Sequence, residues 1–366
     1  MTPDFDVLFS HNRFKGEAFL DELRGNKPLF ILTIATTETG KIAGISAAGK
    51  YPEFTDYTPP ADAELLQLGK CKCINGVPVT PDGIPTPALI AMSALRLADI
   101  PVLVCSGGSK VKPQLPFLDL GGNPGRDIRT GSAVDNVKEV FDRAVIAGEN
   151  LAKVTDYLVI GESIPGGTTT ALGVLSALGV KARGKVSSSM PENPHDLKDA
   201  AVSAGLAAAG ESFGSLRADP VRAVTCVGDP MMPAFAGLVV GAAGQIPVLM
   251  AGGTQMTAVL AVVNALNPDV LCNVAIGTTR WVVNDSSSDI RGIVEQIADV
   301  PVLAADLDFS SSKFEGLKAY ERGIVKEGVG AGGASIAAIG STEGAINKEM
   351  LLTEIERNYA LLMGLK

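Results

Sequence analysis

Seven short, predominantly apolar runs containing β-branched residues recur along the chain, at 29–35, 102–105, 157–161, 223–227, 248–251, 271–276 and 302–305. Between them lie Ala- and Leu-rich stretches of helical length, at 87–98, 134–153, 168–178, 197–209, 233–243, 256–266 and 289–298. A short, uninterrupted apolar run suits a strand buried on both faces, and long helical stretches supply the crossovers between parallel strands. The alternation therefore predicts an α/β fold, a Rossmann-like three-layer arrangement around a parallel sheet with right-handed crossovers.

The two ends carry more charge than the middle, and residues 315–323 and 348–365 read as helices. This divides the chain into an α/β nucleotide-binding domain over 28–310 and a small helical subdomain built from 1–27 plus 311–366. Residues 49–84, rich in Pro and polar side chains, read as an excursion or lid.

Composition narrows the function. A net charge of -9 lacks the basic face that nucleic acid requires. No apolar run is long enough to span a membrane and the first residues are too polar for a secretory signal, so a cytoplasmic protein is expected. The five cysteines form no disulfide-like framework. Cys105, Cys226 and Cys272 fall within apolar runs as small core residues, and Cys71 and Cys73 have only His11 and His195 to help build a metal site, so no metal is expected.

Several runs end in small or polar clusters: Ser106-Gly107-Gly108, Gly161-Glu162, Gly228-Asp229, Gly252-Gly253-Thr254 and Gly277-Thr278-Thr279. Ligands of open α/β sheets gather beyond the carboxyl ends of the strands. The most informative cluster is Gly161-Glu162-Ser163-Ile164-Pro165-Gly166-Gly167-Thr168-Thr169. It reads as a buried strand running through a glycine turn into a helix, where Gly166 and Gly167 admit a ligand close to the backbone. Free N–H groups of the first helical turn, with the hydroxyls of Thr168 and Thr169, suit a phosphate. A second segment, Lys326-Glu327-Gly328-Val329-Gly330-Ala331-Gly332-Gly333, presents a carboxylate on a tight loop before a closely packed helix. In a partly apolar pocket such a glutamate suits a general base; otherwise it is a solvated loop residue.

These segments resemble the nicotinate-nucleotide:dimethylbenzimidazole phosphoribosyltransferase family, which makes the lower-ligand nucleotide of cobalamin. The family's Gly-Glu-Met-Gly-Ile-Gly-Asn-Thr-Thr is matched by 161–169, with Gly167 in place of the Asn, and its Gly-Glu-Gly by Lys326-Glu327-Gly328. Residues 236–243 and 246–248 follow in the family's order, and Lys198 stands where the family has a phosphate-binding lysine. The Asp-Gly-Phe-Ile-Ser that follows the family's Ile-Pro-Val strand is Ala251-Gly252-Gly253-Thr254-Gln255 here, which marks a divergent branch.

The resemblance implies transfer of the phosphoribosyl group of nicotinate mononucleotide to a benzimidazole-type nitrogen base, with release of nicotinate. The leaving ring is already activated by its positive charge, so no cofactor is implied. Glu327 becomes the base, and Gly166, Gly167, Thr168, Thr169 and Lys198 hold the phosphate. Glu162 binds ribose or positions the acceptor, Gly228, Asp229, Gly252 and Gly253 line the nucleotide crevice, and Thr86 touches the acceptor. Glu162 reads equally as an ordinary strand-end carboxylate, Asp229 as a helix cap, and Lys198 as a surface lysine. A homodimer is implied as well. Two other readings stay open: a nucleotide-binding homologue without turnover, and an NAD-type oxidoreductase, for which no Gly-x-Gly-x-x-Gly opens the first βαβ unit.

Overall fold

A computed structural model describes residues 5–46, 52–80, 84–188, 190 and 192–365. One sheet gathers the strands β1 (Val7–His11), β2 (Pro28–Ala35), β3 (Val102–Gly108), β4 (Leu118–Asp119), β5 (Tyr157–Ser163), β6 (Val248–Ala251), β7 (Val274–Thr279) and β8 (Val302–Ala305). Their order is β1-β8-β7-β6-β5-β2-β3-β4, parallel throughout except for β1, which runs antiparallel to β8.

In chain order the helices are α1 (Arg13–Leu23), α2 (Thr58–Leu68), α3 (Ala88–Leu97), α4 (Val137–Leu151), α5 (Gly167–Ala177), α6 (His195–Ala208) and α7 (Pro220–Val227). There follow α8 (Met231–Ala243), α9 (Gln255–Leu266), α10 (Arg280–Val283), α11 (Ile290–Val294), α12 (Glu315–Lys318), α13 (Ala331–Ser341) and α14 (Lys348–Leu362).

Side chains alternate across a strand, so each central strand feeds two cores. Ile31, Leu158, Ile160, Val248 and Met250 join one apolar cluster with α4 to α9. Phe30, Leu32, Tyr157, Val159, Leu249 and Ala251 join the other, with α1, α2, α3, α13 and α14. Both faces of the sheet are thus covered, which is why these strands read as continuous apolar runs rather than alternating ones.

Helix α13 lies against the sheet closely enough that side chains would not fit between them. A Cβ at Gly332 would stand 2.0 Å from the carbonyl carbon of Thr278, and one at Gly333 2.3 Å from Cβ of Ala251.

Local chemistry overrides the run pattern in several places. Residues 223–227 were expected as a strand and form the second half of α7. Pro220 opens that helix, and the carboxylate of Asp219 caps it by accepting from the Arg222 N–H. Gly228-Asp229 therefore joins α7 to α8 rather than ending a strand. Only the last part of 271–276 is strand, since Pro268–Asn273 is a 3-10 turn that leaves Cys272 exposed rather than in the core. The N-terminal segment, expected as helix only, also supplies the edge strand β1. Leu20 and Leu23 of α1, with Leu351 and Ile355 of α14, pack into the same cluster as the central strands. Among the described residues no helix is long and apolar enough to cross a membrane.

Chain order reverses between β2 and β5: one arm runs from β2 to β3 and β4, the other from β5 to β6, β7 and β8. Connections leave in opposite directions at such a point, and a crevice opens beyond the strand ends.

Candidate active site

A cavity of about 840 Å³ opens at the end of β5. Its wall joins stretches far apart in sequence: Glu162 to Thr168, Ser187 and Ser188, Gly253 and Gln255, Val325 to Val329, and Thr86 and Pro87. The 52–80 segment closes it with Phe54, Tyr57, Asp62, Ile74, Val77 and Val79.

The turn after β5 depends on glycine. Gly166 has φ +87°, and a Cβ there would come within 2.7 Å of the backbone of Gly40. Helix α5 starts at Gly167, but its first N–H groups are largely occupied. Gly167 donates to the Ile164 carbonyl, and Thr169 and Thr170 both donate to that of Gly166. Thr168 is the helical residue of this turn, after Gly167, that borders the cavity. Thr169 is fully buried behind it, and Thr170 turns its hydroxyl to the Gly167 carbonyl and the Asp229 carboxylate.

Glu327 enters the same cavity from the loop ahead of α13. The Val329 N–H donates to the Glu162 carbonyl at 3.1 Å, which fastens this loop to the end of β5. Thr279 Oγ1 donates to the Lys326 carbonyl at 2.6 Å and fastens it to β7. Val325 and Val329 both hold positive φ, at 55° and 57°. Left-handed backbone at a β-branched residue costs on the order of 1–3 kcal/mol and persists only where its surroundings enforce it. The Glu327 carboxylate accepts from the N–H groups of Gly328 and Gly332. Burial nevertheless outweighs these bonds and pushes its pKa up to about 8.

Two further carboxyls border the cavity. Burial, reinforced by the charges of Asp229, Glu327 and Asp62, drives Glu162 well above the ordinary range. Burial also raises Asp62 to about 7, against the hydrogen bonds it accepts from Ser163 Oγ at 2.7 Å and Thr86 Oγ1 at 2.9 Å. Of the lysines on the wall, Lys326 is engaged by Asp285 at 2.6 Å in an ion pair whose two side chains are 4% and 7% exposed.

The structure thus brings Glu327, Glu162, Gly166, Gly167, Thr168, Gly253 and Thr86 into the lining of one cavity. Thr169, Lys198, Gly228, Asp229 and Gly252 stand behind it. Asp229, fully buried, caps α8 by accepting from the N–H groups of Met231 and Met232. Lys198 is also fully buried, and its ammonium donates to the carbonyls of Val186 and Ser187 at 3.3 and 2.6 Å. It therefore shapes the wall at Ser187 without reaching the cavity. Burial, aided by the charge of Lys326, brings its pKa down to about 7.

Sequence reasoning missed Asp62, Ser163, Gln255 and the apolar wall at 74–79. Asp62 did leave a trace: with Glu64 it is an acid in the Pro- and Ala-rich stretch Pro59-Pro60-Ala61-Asp62-Ala63-Glu64, whose residues are all buried. Glu64 is occupied structurally, accepting from the N–H groups of Lys72, Cys73 and Gln114. Cys71 and Cys73 are free thiols, and among the described residues no three His, Cys, Asp or Glu side chains are grouped to hold a metal.

Comparison with known proteins gives the fold and the family. A phosphoribosyltransferase family model matches residues 96–280. A UPF0284 protein of Sulfurisphaera tokodaii is 48% identical over 94% of this chain and 96% of its own length. One from Methanothermobacter thermautotrophicus is 48% identical over 88% and 90%. Among solved structures, a nicotinate-nucleotide-dimethylbenzimidazole phosphoribosyltransferase from Thermus thermophilus covers 97% of this chain and 94% of its own, with a TM-score of 0.56 at 17% identity. That likeness establishes a shared fold. With half of its length matched by the family model and close relatives along nearly all of it, the chain belongs to this phosphoribosyltransferase family, in a divergent branch with the UPF0284 proteins.

Proposed function

We propose that this protein moves the 5-phosphoribosyl group of nicotinate mononucleotide to a benzimidazole-type nitrogen base and releases nicotinate, as in assembly of a cobalamin lower ligand. The observation that carries this reading is the position of Glu327, a carboxyl of raised pKa on the wall of the cavity that also holds the Gly166–Thr168 turn.

In this reading the nucleotide's phosphate lies at Gly166, Gly167 and Thr168, where the backbone can approach it closely. The ring nitrogen of the acceptor attacks C1′ as the bond from C1′ to the pyridinium nitrogen breaks. The bonding pair leaves with nicotinate and neutralises its ring. The proton lost from the acceptor's N–H passes to Glu327. Glu162, held beside it, faces the sugar, where its carboxyl hydrogen-bonds a ribose hydroxyl. Lys198 contributes by fixing the Ser187 backbone, and Asp229 by capping α8 at the back of the site. The active unit is a homodimer, and no cofactor takes part.

The test is incubation of the intact protein with nicotinate mononucleotide and a panel of benzimidazoles and purines, scored for free nicotinate and a new riboside phosphate. Wild type is expected to release nicotinate only when a base is supplied. Glu327→Gln should bind the nucleotide and release about 10²–10⁴-fold less, the usual contribution of a positioned base. Full turnover by that variant removes Glu327 from the chemistry. Nucleotide binding without turnover of any base by wild type turns the assignment toward a binding protein.

A further inference from the structure

Where the end of β5, the middle of α2 and the start of α3 meet, Asp62 borders the cavity while only 2% exposed. Each of its oxygens accepts one hydrogen bond, Oδ1 from Thr86 and Oδ2 from Ser163. Both donors are hydroxyls, so their protons are spent on the carboxylate. A carboxylate offers about four lone-pair directions, and these two bonds leave the others unfilled. No ion pair of the described residues includes Asp62, and the charges that act on its neighbour Glu162 are all negative. A buried carboxylate served by two neutral donors favours a ligand that brings another.

The surroundings indicate what kind of ligand that is. Ile74, Val77 and Val79 give the adjoining wall an apolar surface, and Phe54 and Tyr57 place two aromatic rings on it. The Thr86 N–H, bonded to the Pro78 carbonyl, ties this wall to the start of α3. An apolar slot with one directed polar group suits a flat heteroaromatic ring bearing one polar substituent.

We propose that Asp62 is a specificity-determining residue for the acceptor, selecting heteroaromatic bases with an N–H donor on the six-membered ring over bases of the same shape that carry a methyl there. This rests on the phosphoribosyl-transfer reading above and names the acceptor class within it. Asp62 takes no part in bond making; it accepts a hydrogen bond from the ring substituent and so sets which base is held.

The deciding measurement compares 5-aminobenzimidazole with 5-methylbenzimidazole, a pair matched in shape. Binding of each to the intact protein is read by calorimetry, and nicotinate release from nicotinate mononucleotide is read with each as acceptor. At pH 8, where Asp62 is ionised, wild type is expected to favour the amino compound by roughly tenfold or more in affinity and in kcat/KM, the scale of one hydrogen bond to a charged partner. In Asp62→Asn the ratio should fall toward one. The Asn amide still accepts from one hydroxyl, and the other hydroxyl can rotate to accept from it, so the fold is expected to survive. If that variant does not fold, the wild-type ratio decides alone.

A wild-type ratio of one or less overturns the proposal, as does an undiminished ratio in Asp62→Asn or failure of both bases to bind. A structural tie between α2, α3 and β5 would lower both activities together and leave the ratio unmoved, which also overturns it. If neither base releases nicotinate, the transferase reading fails, and the two binding constants still judge Asp62 by themselves.

Discussion

The Gly332 N–H points at the Glu327 carboxylate, 3.3 Å from one oxygen and 3.2 Å from the other. Gly332 can do so because it lacks a side chain: the backbone of Thr278 lies directly behind it. The packing of α13 on β7 and the aim of the candidate base are therefore one feature.

That coupling makes Gly332→Ala a sensitive probe. A Cβ placed 2.0 Å from the Thr278 carbonyl carbon must push α13 away from the sheet. Overpacking of this kind costs about 1–3 kcal/mol or more, and the shift carries the Glu327 carboxylate with it. A lower unfolding midpoint together with a loss of turnover larger than the loss of nucleotide affinity is expected. Normal activity in a stably folded variant would show that the helix does not aim Glu327.

Glu327 also sets a pH dependence. A base must be ionised to accept a proton, and with a pKa pushed up to about 8 the carboxyl is mostly protonated at pH 7. The kcat/KM for nicotinate release should rise about tenfold per pH unit below 8 and level off above it. A profile that is flat or falling between pH 6 and 8 would contradict the role.

Asp62 gives a stability prediction of defined sign. Burial raises its pKa from 3.8 to about 7, so the folded protein binds a proton that the unfolded chain releases between those values. The neutral acid's advantage is complete below pH 3.8 and is lost as pH rises toward 7, by on the order of 4 kcal/mol for three pKa units. Asp62→Asn carries no such charge. Chemical denaturation should find the variant gaining on wild type from pH 4 to pH 8, and a constant difference would refute the buried-acid account.

Lys198 separates direct from indirect support of the phosphate. Its ammonium is spent on the carbonyls of Val186 and Ser187. Lys198→Met leaves those acceptors unserved, at a cost of about 1–3 kcal/mol in stability. It should raise the KM for nicotinate mononucleotide while changing affinity for the corresponding phosphate-free riboside to the same degree. A loss confined to the phosphorylated ligand would restore the direct contact expected from the sequence.

Much of this is legible in the sequence. Apolar runs such as those in β2, β5 and β6 identify strands because a sheet buried on both faces needs apolar side chains at every position. The two glycine segments stood out for a related reason: a turn at positive φ and a helix pressed against a strand each admit little besides glycine. The run at 223–227 misled because β-branched residues also serve in a helix that is capped by Asp219, opened by Pro220 and packed among others. Asp229 was ambiguous between crevice and cap, and Lys198 between phosphate and surface. Neither choice is encoded locally.

By itself the sequence determined the elements, the glycine turn after β5 and the presence of an acid on the loop before α13, since all of these follow from short-range sterics and burial. Tertiary structure decided which distant residues share one wall. It placed Asp62 and Thr86 beside Ser163, joined Val329 to Glu162, and turned Lys198 inward to the Ser187 backbone. Those contacts depend on the order of strands in the sheet and on how helices settle over it, sums of many weak packing interactions that no short segment specifies.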